Sequence, residues 1–99
     1  MIDELEYILR RPKKYAEEGW VQKAIEELEL AREDAAEKGI KIPAEVLRDV
    51  ERAAYKNGAE LQVIIAVIFN KYGNNDEVEK AVQKACIYAT YAGVGVSQN

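Results

Sequence analysis

The side chains of this 99-residue chain that could do chemistry are few, and there is no histidine among them. Its absence removes the commonest metal ligand, the usual general base at neutral pH and every Ser–His or Cys–His nucleophile pair. Cys86 is the one cysteine and sits among alanines, where a lone thiol reads as a small buried apolar group; it permits no intramolecular disulfide. Glu26, Glu27, Glu29, Glu33 and Asp34 make one acidic group, and Glu45 with Asp49 a second. Carboxylates converging from two helices onto one cavity can hold a divalent cation. The second group alternates with Arg48 and Arg52, so solvated, salt-bridged faces are the preferred reading, and no metal or cofactor is expected. Arg48, Arg52 and Lys56 follow one another by a helical turn and could clamp a small anion, the basis of a small-anion-binding enzyme as one alternative.

The remaining concentration of charge is Arg10-Arg11-Pro12-Lys13-Lys14, four cations in five residues that could grip phosphates. Cations at a helix C-terminus are also explained by the negative end of the backbone dipole. The chain as a whole carries 18 acidic and 14 basic side chains, a net charge of -4, so its field repels nucleic-acid backbones and anionic membranes. Ala54, Gly58, Ile64 and Val67 stand at the alanine, glycine and apolar positions of a pattern that resembles a helix-turn-helix, with its turn at Asn57-Gly58. The reading helix it implies, Gln62 to Phe69, offers almost nothing able to hydrogen-bond a base edge. A nucleic-acid binder using the basic turn at Arg10, Arg11, Lys13 and Lys14 is therefore the second-ranked function.

The elements that must position these residues are helical. Asp3 and Glu6 have capping-box spacing, and Ile2, Leu5, Ile8 and Leu9 recur at helical intervals, which predicts a short first helix ending at a turn at Arg11-Pro12. Val21, Ala24, Ile25, Leu28, Ala31 and Ala35 make the stripe of a second helix, with Gly19 interrupting its start and Lys38-Gly39-Ile40 ending it. Pro43 opens a third helix that buries Val46, Leu47, Val50, Ala53 and Ala54 and closes at Asn57-Gly58. Val63 to Phe69 is seven residues without a polar side chain; lacking any second strand to pair with, it reads as part of a helix over 59–71. Tyr72-Gly73-Asn74-Asn75 is the strongest turn, and a last helix from there carries Val78, Ala81, Val82, Ala85, Ala89 and Ala92 up to Gly93.

The expectation is one all-α domain over 1–93, a compact bundle of four to five helices around a central hydrophobic helix near 59–71, with 94–99 a flexible tail. A helix apolar on every side is enclosed by other helices or by a second subunit. Trp20, Leu30, Tyr88 and Tyr91 are the candidate interface residues: Leu30 lies off the main stripe of the second helix, and the other three are large amphipathic rings of the type enriched at interfaces. The favoured function is a non-enzymatic protein–protein interaction or assembly module that self-associates as a homodimer or larger homo-oligomer. The expected setting is the cytoplasm, with no membrane partner: nothing at the N-terminus resembles a secretion signal, and the longest apolar run is far short of the roughly 20 residues of a spanning helix. The Glu/Lys-rich surface would also suit a thermophile.

Overall fold

A computed structural model describes residues 3–93; Ile2 and the expected tail 94–99 lie outside the described residues. Four helices and no strand are found among them: α1 (Glu4–Glu18), α2 (Val21–Glu37), α3 (Ala44–Lys71) and α4 (Asn75–Tyr91). The protein is all-α. Two of the expected breaks are not there, and the interruption at Gly19 is a full break.

The first correction is at Pro12. The helix does not stop at Arg11 but runs through the proline to Glu18. An interior proline removes one backbone hydrogen bond and costs a helix about 3 kcal/mol or more. Here Ile8, Leu9, Pro12 and Ala16 form one buried face, and Pro12 is among the most completely buried side chains. Packing the ring against the core offsets the local penalty.

The break comes instead at Gly19, which has φ +83, a left-handed conformation that costs a side-chain-bearing residue about 1 kcal/mol or more. Gly19 N–H donates to the Ala16 carbonyl and Trp20 N–H to the Tyr15 carbonyl, a closed Schellman terminus. The same pattern ends α2, where Gly39 N–H donates to Ala36 and Ile40 N–H to Ala35. Ile40 then packs against the core, as the sequence suggests.

The second correction is at Asn57-Gly58, which does not close a third helix. One 28-residue helix, α3, passes straight through it. The asparagine side chain donates to the Ala16 carbonyl at 2.9 Å, holding α3 to the end of α1. A Cβ on Gly58 would run into Val21 Cγ2 and lie 3.2 Å from both the Gly19 carbonyl oxygen and Tyr88 Cδ2. Both residues serve a helix crossing, and neither leaves the α conformation.

α4 starts where expected. Asn74 accepts a hydrogen bond from Glu77 N–H at 3.3 Å and stands ahead of Asp76 and Glu77, which favour the positive end of the helix dipole.

The long helix organises the rest. At about 1.5 Å per residue α3 is about 42 Å long, which accounts for most of the 51 Å long axis of the molecule. α1 and α2 pair with each other and lie on the first half of α3, whereas α4 packs along α3 alone, back down its second half. The main buried cluster is correspondingly one-sided, formed by Ile8, Leu9, Ala16, Ala24, Leu28, Ala31, Ala35, Val50 and Ala54; beyond it the buried apolar residues of α3 and α4 are the alanines Ala66, Ala81, Ala85 and Ala89.

Candidate protein-interaction surface

Along α3, Leu47, Val50, Ala54, Asn57, Leu61, Ile64 and Ile68 recur at alternating steps of three and four, the spacing of a coiled-coil seam. The first four are engaged with the α1–α2 pair: Val50 and Ala54 are buried, Leu47 packs on the core and Asn57 bonds to Ala16. The seam continues past the end of that pair. Ile64 is 56% exposed and Ile68 47%.

The other flank is equally bare. α4 approaches α3 through Ala81, Ala85 and Ala89, all buried, opposite Ala66. Small side chains let the two backbones come close, but they reach no further round α3. Val63 and Val67 are each 54% exposed and, with Val78, Val82 and Cys86 of α4, wall a groove of about 510 Å³ floored by alanines. Glu60 stands in this lining at one end and Asn70 at the other.

Within one chain 59–71 is only partly enclosed: α4 packs on one side, while Val63, Ile64, Val67 and Ile68 are left exposed, so the enclosure by helices of the same chain is incomplete. Cys86 is also not buried; it is an exposed free thiol on the groove wall. The seam spacing that identifies this surface is present in the sequence, but a helix break read at Asn57-Gly58 hides it by splitting the seam in two.

The four residues expected at an interface are distributed over the molecule. Trp20 lies at the α1–α2 turn and Leu30 on the outer face of α2, and both are exposed. Tyr88 and Tyr91 gather on Tyr55 of α3, with ring centroids 5.9 and 5.1 Å away, near the end of α4. Tyr91 is exposed and Tyr88 half-buried. Burial raises the Tyr55 hydroxyl above its ordinary value, with the nearby Glu51 carboxylate adding to the shift.

The basic segment is helix rather than turn, which corrects its geometry. Arg10, Arg11 and Lys14 share one shallow depression with Tyr15 and Glu18, whereas Lys13 faces α3 beside Val46 and Asp49. Arg11 is paired with Glu27 at 3.3 Å, and Arg10 lies over the Tyr7 ring, 4.6 Å from its centre. Glu27 is the one buried charged side chain among the described residues, which corrects its expected place on a solvated face. Its position on the stripe between Ala24 and Ala31 is the signal that places it inward.

Arg48, Arg52 and Lys56 are exposed on successive turns of α3. The helix-turn-helix likeness has no turn at Asn57-Gly58 to rest on. Among the described residues no three Cys, Asp or Glu side chains gather closely enough for a metal ion, and no helix is long and apolar enough to cross a membrane. Set against known protein families, curated proteins and solved structures, the chain matches none of them.

Proposed function

We propose that this chain is a non-enzymatic interaction module that assembles with copies of itself through the α3–α4 hairpin. One observation carries the reading: Val63, Ile64, Val67 and Ile68, four branched aliphatic side chains in two turns of helix, are each about half exposed, with Val82 beside them. Isolated exposed apolar residues are ordinary, whereas a contiguous patch of this kind on a small acidic protein supports an interaction surface. Covering it stabilises the complex by roughly 25 cal/mol for each square ångström removed from water. The exposed thiol of Cys86 on the same wall suits a reducing compartment, in keeping with a cytoplasmic setting.

Light scattering behind a sizing column tests the reading. The parent should exceed 11.2 kDa and rise in mass with concentration, whereas Val67→Asp should elute at 11.2 kDa with its helicity intact. A parent that stays at the monomer mass at every concentration would defeat self-association.

A further inference from the structure

The apolar stretch of α3 is bracketed by opposite charges. Glu60 precedes it and Lys71 follows it, with no charged residue between them. They stand eleven residues apart, about three helical turns, so both lie on nearly the same face of α3, flanking Val67 and Ile64. Both are exposed, and neither takes part in an ion pair among the described residues.

Such a face complements an inverted copy of itself. When two such helices run antiparallel about a two-fold axis between Ile65 and Ala66, Glu60 of each comes opposite Lys71 of the other. Ile64 of each then comes opposite Val67 of the other, with Val63 and Ile68 on the two flanks. On this face the apolar positions meet one another and each charge meets its opposite, which is the condition for an isologous contact.

We propose that the occupant of this surface is a second copy of the chain, its α3 antiparallel to the first and packed on the face that carries Glu60, Ile64, Val67 and Lys71. The two α1–α2 pairs then lie at opposite ends of the paired α3 helices. This arrangement rests on the self-association reading and adds its partner and register. A small apolar molecule in the groove fits less well, because Ile64 and Ile68 are not part of the groove lining and would stay in water. A second α3 covers both sets.

The register is tested by reversing the charges. Glu60→Lys faces Lys71 of an identical partner with a like charge, and Lys71→Glu does the same to Glu60. Both positions are exposed, so the fold should be unaffected, as circular dichroism would verify. At low salt, each variant alone should dimerise about tenfold more weakly than the parent. An equimolar mixture should return to the parental affinity, because a Glu60→Lys chain and a Lys71→Glu chain restore both cross pairs.

A parent that dimerises while neither reversal weakens it, or variants that weaken but do not rescue one another, would overturn the antiparallel register and leave self-association standing. A parent fixed at 11.2 kDa at every concentration overturns both readings and leaves the surface to another protein's helix or to an apolar ligand.

Discussion

Gly58 shows how a residue's local preference can be redirected by what lies next to it. Asparagine followed by glycine is among the strongest signals for a turn or a left-handed helix end. In α3 the pair stays helical, and the glycine is needed for lack of a side chain, because Val21, the Gly19 carbonyl and Tyr88 all close on the space a Cβ would fill. By helix propensity alone Gly58→Ala should stabilise α3 by about 1 kcal/mol. The crowding predicts the opposite sign: a net loss of about 1–3 kcal/mol, since Val21 and the α1–α2 turn must shift to admit the methyl group. Urea denaturation of the variant decides between them, and a midpoint equal to or above the parent's would show that the crossing is looser than described. Asn57 works at the same crossing, using its amide to satisfy the Ala16 carbonyl rather than to end its own helix.

At the scale of the element, α3 has two halves with one composition and two environments. The seam residue Val50 is 4% exposed in the first half, and Ile64, two heptads on, is 56% exposed in the second. Substituting aspartate at the two positions separates core from surface. Val50→Asp puts an unpaired carboxylate into the core and should cost several kcal/mol, comparable to the whole stability of a small domain. Ile64→Asp should leave the melting temperature of the dilute protein within a few degrees of the parent, because the new charge stays in water. Thermal melts at low protein concentration check both, and a collapse of Ile64→Asp under those conditions would place Ile64 inside the chain's own core. The apolar run Val63 to Phe69 was legible as a helix, but its burial was not. Composition states how much apolar surface an element offers, and only the neighbours state how much of it is covered.

For the whole molecule, the consequence is an uneven distribution of stability. The core formed by α1, α2 and the first half of α3 contains leucine, isoleucine and valine, whereas the buried groups of the α3–α4 hairpin are chiefly alanines. Less apolar area is removed from water there, so the hairpin should open without the rest unfolding. Hydrogen exchange on the dilute protein should show amides of α4 and of α3 beyond Leu61 exchanging at least tenfold faster than those around Ala24 to Ala31 and Val50 to Ala54. Uniform protection along all four helices would show instead that the chain opens as a single unit. Raising the concentration should slow exchange in the hairpin alone, if a second copy covers it.

The sequence by itself determined that the protein is all-α, that a helix ends at Lys38-Gly39 with Ile40 folded back, that the last helix follows the turn at Tyr72-Gly73-Asn74-Asn75, and that α1 to α3 carry apolar stripes. These follow from forces acting within a few residues: side-chain spacing, capping oxygens and left-handed glycines. Only the tertiary structure decided that Pro12 stays inside a helix, that Asn57-Gly58 does not end one, and that Glu27 lies inward against Arg11. In each case a local penalty is outweighed by contacts with residues distant in sequence, such as Ala16 and Val21 against Asn57 and Gly58. The candidate surface falls between the two. Its seam spacing can be read directly from Leu47 to Ile68, but its exposure exists only because α1 and α2 are too short to follow α3 to its end.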